Sequence, residues 1–446
     1  MKKRMILLML TALSLTLLCT GCLFVSSAEE LYTLPQVAKE YVELQSQIDA
    51  VLETGAEYSA PISGSNRQAV QLQDLDGDGV EEAVGFFVKD GEKPLSIMIF
   101  RAEDTKYKVA AIIEGDGAAI DSVSYVDMDG DGTKEIAVGW QMTASVKMLS
   151  IYSVRDFQVS ALVSTNYEKY SLADLNDDSG KNVIVYRFSS EDTNAEAEMY
   201  SLMKDGEVVS SSARLSEGIT SMLNITTGKI RSGSAAVFID SEYSEGGLIT
   251  DILISDKADE LTNITMDADS RKSVSTIRAY TSAYCTDINS DGVIEVPQPR
   301  ELYSQTDTVY RVIDWRSYRK NGASALELST YHNYSDSWFL KLPSNWHDDL
   351  TIRREDSVSG ERVIIFSKVV SNSSGKRIED LLAIYTLSGE NRNERARVSD
   401  RFILKDTGTT VYVAKILSQS SDMSVTREYV SQNFRTISTD WTNGIV

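Results

Sequence analysis

Apolar positions in the body of this chain come in short runs rich in β-branched and aromatic residues. Ala69 to Leu72 and Ser122 to Val126 are two such runs, and Ala83 to Val88, Ile136 to Trp140 and Val183 to Tyr186 are three more. Runs of this length and composition predict strands. Ser96 to Phe100 and Met148 to Tyr152 add further strands, and Lys204-Asp205-Gly206-Glu207 reads as a tight turn. A helical period occurs near the start, where Val37, Tyr41, Leu44, Ile48 and Val51 share one face behind a Thr33/Gln36 capping box with Pro35 in the first turn. It is expected to pack on the strands, the alternative being a partner-binding or membrane-lying helix, though the face lacks the Lys/Arg richness of the latter. From residue 334 the pattern changes. Strands are predicted at Leu350 to Arg353, Arg362 to Lys368, Leu381 to Leu387 and Thr410 to Ile416, then a helix over Val425 to Ile437, an α+β layout.

Between the strands an acidic motif repeats. Asp74-Leu-Asp76-Gly-Asp78-Gly79-Val-Glu-Glu82, Asp127-Met-Asp129-Gly-Asp131-Gly132-Thr-Lys-Glu135 and Asp287-Ile-Asn289-Ser-Asp291-Gly292-Val-Ile-Glu295 share one pattern. Asp174-Leu-Asn176-Asp-Asp178-Ser179-Gly-Lys-Asn182 keeps the oxygens but has Ser for Gly and Asn for Glu. Their starts lie 53, 47 and 113 residues apart. The last gap is about double, and within it Asp240-Ser-Glu242 followed by the alternating Leu248, Thr250, Ile252 and Ile254 reads as a decayed copy that lost its loop. Five units are therefore expected, starting at 74, 127, 174, 240 and 287.

Calcium is a hard cation that takes six to eight oxygens. Inward side chains at positions 1, 3 and 5 of a tight turn supply them, and Gly at position 6 permits the bend. Without a cation the crowded carboxylates repel one another. An EF-hand needs Glu at position 12, where these loops have Gly85, Val138, Val185 and Gln298, and it needs flanking helices rather than strands. Each loop is thus expected at the tip of a β-hairpin.

Hairpin, acidic loop and hairpin at about fifty residues per unit resemble the FG-GAP or VCBS repeats of secreted bacterial proteins and integrin α-chain propellers. The resemblance covers residues 66 to 330 and implies a calcium-binding β-propeller of about five blades. The ligands it implies are Asp74, Asp76, Asp78 and Glu82; Asp127, Asp129, Asp131 and Glu135; Asp174, Asn176 and Asp178; and Asp287, Asn289, Asp291 and Glu295. The family more often has Asp at position 9. Pro297 and Pro299 are expected to truncate the strand after the last loop.

The N-terminus adds a compartment. Lys2, Lys3 and Arg4 precede an apolar run from Met5 to Leu18, too short to span a bilayer comfortably, that ends in Cys19-Thr20-Gly21-Cys22. This is similar to the lipobox of bacterial lipoproteins, with Cys19 where Leu is usual. The similarity implies cleavage before Cys22, lipidation of its thiol and tethering to the outer face of the cell membrane. The expected organisation is then 1–21 signal peptide, 22–65 anchor, linker and helix, 66–333 propeller, and 334–446 α+β domain. Cys285 is the remaining thiol of the mature chain and is expected in the core, since it stands where the other units have Leu72, Tyr125 and Leu172.

Formal charge is −22, and −25 once Lys2, Lys3 and Arg4 are removed, which disfavours nucleic acid as a partner. The chain shows no G-x-S-x-G, H-E-x-x-H or Walker pattern, and His332 and His347 are its two histidines. The reading is a surface-tethered, calcium-stabilised, non-catalytic binding or scaffold module for a protein or glycan. The alternatives are a calcium-assisted polysaccharide lyase or glycosidase, whose carboxylate pair need not be local in sequence, and a structural subunit of an envelope complex. Cys22→Ser is expected to release the protein from membranes on fractionation. Retention of that variant in the membrane pellet would count against the lipid anchor.

Overall fold

The computed structural model describes residues 41–437 apart from 104–105, 178, 189–194, 256–259, 280–281, 373–374, 399 and 420. Cys19, Cys22, Thr33, Pro35, Gln36, Val37 and Asp178 lie outside the described residues. The structure is mainly β, and the described residues form six antiparallel sheets. The first four are meanders of four successive strands. Sheet one comprises Val70–Gln73, Glu82–Val88, Leu95–Glu103 and Lys106–Gly115, with Glu57–Tyr58 added at the far end of its second strand. Sheet two runs Ala119–Val126, Glu135–Gln141, Lys147–Ser153 and Ser160–Asn166. Sheet three runs Lys169–Ala173, Asn182–Phe188, Ala195–Leu202 and Val208–Arg214. Sheet four runs Ile219–Lys229, Ala235–Tyr243, Leu248–Ser255 and Leu261–Asn263.

The second strands explain the arrangement. Val84 and Phe86 point to one face of sheet one, while Ala83 and Phe87 point to the other, and all four are fully buried. A strand apolar on both faces needs a cover on both. Sheets one and two share one core containing Phe86, Ile97, Ile136 and Trp140. Leu149, Ile151, Val183 and Val185 join sheets two and three. Ile184, Tyr186, Val237 and Ile239 join three and four, and Phe238, Ile252, Val296 and Tyr318 join four and five. The outer face of sheet one is covered by helix α1, Val42–Glu53, through Leu44 and Ile48 against Phe87 and Phe100, as its apolar stripe predicts. At the first junction Gly115 is forced by contact, because a Cβ there would stand 2.5 Å from the Trp140 ring.

The structure corrects four expectations. Asp240 is not in a turn. It sits mid-strand, paired with Thr250 on one side and Asn224 on the other, and its carboxylate is buried in an ion pair with Arg278 at 2.7 Å. The hairpin in the position of the acidic loops is instead residues 230–234, which contain no carboxylate. Second, Pro297 and Pro299 do not truncate their strand. Val296–Glu301 is continuous and pairs with Arg311–Tyr318, at the terminal position of the fifth sheet, where a missing N–H on the outer side breaks no ladder bond. Third, strand pairing runs through residue 334. Ser324–Asn333 continues through a 3-10 turn into Trp338–Leu342, which pairs with the C-terminal Phe434–Thr436. Fourth, the last helix is shorter than predicted, Arg427–Asn433, because Phe434 leaves it to enter the core against Trp338 and Tyr412.

The sixth sheet orders Leu350–Val358, Glu361–Asn372, Gly375–Ser388, Thr410–Ile416 and Phe402–Asp406, and shares with the fifth a core around Trp338, Trp346 and Phe366. No core cluster of the described residues joins the first sheet to the sixth. No helix among the described residues is long and apolar enough to cross a membrane.

His332 lies inside the fifth sheet. Its Nε2 meets Thr330 Oγ1 at 2.9 Å, the Trp315 indole N–H donates to the same hydroxyl at 2.8 Å, and the ring stacks on Phe339 at 5.0 Å. Burial lowers its pKa to about 3. A depressed imidazole pKa means the unfolded chain takes up a proton between about pH 6.5 and 3 while the folded one does not, so stability is lost as pH falls through that window. We expect the His332 ring to stay neutral by NMR down to pH 5, and the acid-side loss of stability to shrink in His332→Phe. A ring titrating near 6.5 would contradict its burial as a neutral group.

Candidate metal centre

The acidic loops sit where the sequence places them, between the first and second strands of sheets one, two and three, and ahead of the fifth sheet at the Thr286–Glu295 bridge. The first two have the same internal bonding. Asp74 accepts from the backbone N–H of Gly77 (2.8 Å) and Gly79 (3.1 Å), and Asp127 from Gly130 (2.7 Å) and Gly132 (2.9 Å). Asp76 accepts from Asp78 N and Asp129 from Asp131 N; Asp78 accepts from Val80 N and Asp131 from Thr133 N. Each carboxylate is thereby held facing its neighbours. Ligand oxygens of Asp74, Asp76 and Asp78 lie within 4.8 Å of one another, and so do those of Asp127, Asp129 and Asp131. Gly77, Gly79, Gly130 and Gly132 all have positive φ, which glycine adopts without steric cost.

The fifth loop repeats most of this. Asp287 accepts from Asp291 N (3.1 Å) and Gly292 N (2.8 Å), and Asp291 accepts from Val293 N (2.9 Å). In the third loop Asp174 accepts from Asp177 N at 2.8 Å, and Asp177 takes a positive φ of 59° where the first two loops have Gly.

Position 9 has a role beyond that of an expected ligand. The side chain folds under its loop and accepts from the backbone N–H of position 2: Glu82 from Leu75 (2.9 Å), Glu135 from Met128 (3.1 Å), Glu295 from Ile288 (3.2 Å), and Asn182 from Leu175 (2.9 Å). All four are buried to 1 % exposure or less. Asn182 does the same work as the glutamates with an amide, so the Glu-to-Asn change that made the third copy look degenerate preserves this strut. Burial, with Asp129 and Asp131 nearby, pushes the Glu135 carboxyl up to about 7, and burial with Asp291 and Asp287 nearby does so for Glu295, also to about 7. Glu295 Oε1 is buried without a hydrogen-bond partner.

Sequence reasoning missed two features. One is a pair of arginines. Arg101 Nη2 approaches Asp76 Oδ2 at 3.0 Å and Asp78 Oδ2 at 3.5 Å. Arg155 Nη2 approaches Asp129 Oδ2 at 3.3 Å and also bonds Asp131. Their near-equal distance from their loops, 27 and 28 residues after Asp74 and Asp127, was the available signal. The other is contact between loops. Lys134 N donates to Leu75 O at 2.8 Å, Lys181 N to Asp127 O at 2.9 Å, and Ile294 N to Lys229 O at 2.9 Å, each from position 8 of its loop to the preceding unit. Gly180 is required by this contact, since a Cβ there would stand 2.2 Å from Met128 O. A cavity of about 370 Å³ opens beside the second loop, lined by Asp129, Arg155, Asp156, Gln158, Leu162 and Leu202 among others.

Elsewhere, Cys285 is buried as expected, and its thiol donates to Asp240 at 3.1 Å. His347 contacts Asp348 (2.8 Å) and Asp314 (3.3 Å), and Asp314 is also bound by Arg300 and Ser329.

No family model matches the chain, and no curated protein matches it. Among solved structures, a functionally unknown protein from Desulfotomaculum acetoxidans is 14 % identical, with 67 % of this chain and 81 % of that one covered and a TM-score of 0.29. The rhamnogalacturonan lyase YesW is 12 % identical, with 80 % and 72 % covered and a TM-score of 0.28. Likenesses this weak carry no argument about fold or function.

The position-9 strut is testable. Glu135→Ala leaves the buried Met128 N–H without a partner and is expected to cost about 1–3 kcal/mol. Glu135→Gln keeps an acceptor, as Asn182 does, and is expected to cost clearly less. Equal losses in denaturant unfolding would show that the backbone bond is not what the side chain contributes.

Proposed function

We propose that this chain is an exported, lipid-anchored, calcium-stabilised module of propeller-like repeats that binds a protein or glycan without catalysing a reaction. The observation that carries the reading is the gathering of three carboxylates in each of the first two loops, within 4.8 Å. The donors are all hard oxygens, the set that suits calcium rather than a softer metal. Asp74, Asp76, Asp78, Asp127, Asp129 and Asp131 would hold the ion, with Asp287, Asn289 and Asp291 as a third set. The unpartnered Glu295 Oε1 beneath that third set is the kind of buried acceptor a bound cation satisfies. The position-9 residues contribute at most one oxygen each, the other being taken by the backbone. The ion's role in this reading is structural: it offsets carboxylate repulsion at the hairpin tips.

Support for the propeller-like arrangement comes from the first strands, which lie side by side. Tyr125 OH donates to Gln71 at 2.8 Å, Tyr170 OH pairs with Ser124 Oγ at 2.8 Å, and Thr226 Oγ1 donates to Cys285 O at 3.1 Å. Ring closure, export and the anchor at Cys22 are part of the proposal. The formal charge of −22 favours a partner that is neutral or basic over nucleic acid.

Thermal melts of the full chain across a calcium series test the reading. A ligand of the folded state stabilises it by mass action, by about 2.7 kcal/mol at a hundredfold excess over its dissociation constant, and so raises the midpoint. We expect that rise with calcium and not with magnesium. Asp129→Asn with Asp131→Asn, which keeps the backbone acceptors, is expected to reduce the rise and to matter little in chelator. No shift at millimolar calcium would leave the loops as acidic turns and remove the main support for the proposal.

A further inference from the structure

The two arginines occupy equivalent places. Arg101 lies in the third strand of sheet one, and Arg155 stands two residues after the third strand of sheet two. Each sends Nη2 to the carboxylates at positions 3 and 5 of its own loop. Among the described residues no arginine or lysine pairs with the fifth loop, where the Asn289 amide donates to Asp291 at 3.0 Å instead. A guanidinium on these carboxylates and a divalent cation in the same loop compete for the same oxygens. The arginine side chains are 39 % and 48 % exposed, so either can swing into water at small cost.

The two arginines are also connected. The Arg101 guanidinium carbon stands 4.7 Å from the centre of the Phe157 ring, within cation–π range. Phe157 belongs to the turn Arg155–Phe157, which carries the other arginine. That turn holds Asp156 at φ 51° and Phe157 at φ 57°, a left-handed backbone that non-glycine residues keep only where surrounding contacts impose it. Phe157 also packs against the core between sheets one and two. Withdrawal of Arg101 from its loop removes a contact on the ring that steadies the turn aiming Arg155.

We propose that Arg101 and Arg155 are resident counter-ions that a divalent cation displaces, and that Phe157 couples the two displacements, so that the first two loops fill as a pair while the fifth fills independently. This rests on the cation-binding reading above. It goes beyond that reading by assigning the residues that oppose binding and the one that links two sites.

Calorimetric titration of calcium into the full chain tests it, with wild type, Arg101→Gln, Arg155→Gln, the double variant and Phe157→Leu. Loss of an exposed ion-pair partner is expected to tighten binding about two- to fivefold for each arginine removed, with the number of ions unchanged. Wild type is expected to bind its second ion at the paired loops more tightly than its first, and Phe157→Leu to bind the same number of ions without that cooperativity. Arg101→Lys serves as a second coupling variant. It keeps the charge and loses the planar stack, so competition is expected to persist and cooperativity to fall. Unchanged or weaker binding in the arginine variants overturns the counter-ion role, and cooperativity that survives both coupling variants overturns the link through Phe157. A wild type that binds no calcium at all defeats the underlying function reading and this inference with it.

Discussion

A small sheet that is apolar on both faces is not stable alone, and this chain contains a row of them. Val84 and Ala83, Ile136 and Ala137, Val183 and Ile184, and Val237 and Phe238 are buried neighbours that face opposite sides of their strands. Each sheet therefore depends on the sheets before and after it. Trp140, Tyr186 and Phe366 fill the first, third and fifth of these interfaces. The outer side of the first sheet has a different cover, the N-terminal helix with Leu44 and Ile48, and on the sixth sheet Leu387, Val411 and Val413 pack with Ala396 of the short helix Arg392–Ala396. Stability in such a stack is expected to behave as a sum of nearest-neighbour interfaces.

Stacking has a geometric consequence for the acidic loops. Because the sheets repeat in register, the hairpin between the first and second strands emerges at the same end each time. Adjacent loops then touch, through Lys134 N to Leu75 O and Lys181 N to Asp127 O. The carboxylates of neighbouring units are thereby brought close together rather than scattered as separate acidic turns. Arg101 and Arg155 lie against the first two loops, in a chain with 66 acidic and 44 basic residues. The fourth sheet handles charge differently. Its first hairpin, residues 230–234, carries no carboxylate, and the sheet buries Asp240 with Arg278, where Thr250, Cys285 and Asn224 also bond the carboxylate. Removing either partner there would strand a buried charge, a far larger penalty than losing an exposed pair.

Local pattern sufficed for the strands, the hairpin placement of the acidic loops, the helix face and the buried Cys285, because each follows from residues close together in the chain. Repetition of one motif pointed to the aspartates that gather in the first two loops, since a tight turn leaves their side chains few directions. The same local logic failed at Asp240-Ser-Glu242, which has a loop's composition but a strand's partners. It failed at Pro297 and Pro299, whose tolerance depends on lying at the terminal strand of a sheet. It also failed at residue 334, where a change of pattern coincides with continuous pairing.

What tertiary structure alone decided is what depends on neighbours distant in sequence. A sixth sheet follows the first five, with Trp338 and Trp346 between it and the fifth. Position 9 turned inward to brace its loop, because a buried backbone N–H needs an acceptor more than an exposed turn needs another carboxylate. Arg101, Arg155 and Phe157 met at the loops only because two sheets packed face to face. Spacing along the chain gives the chemistry available at each turn, but contact between turns is set by packing, and the charge balance at these loops is a property of the contact.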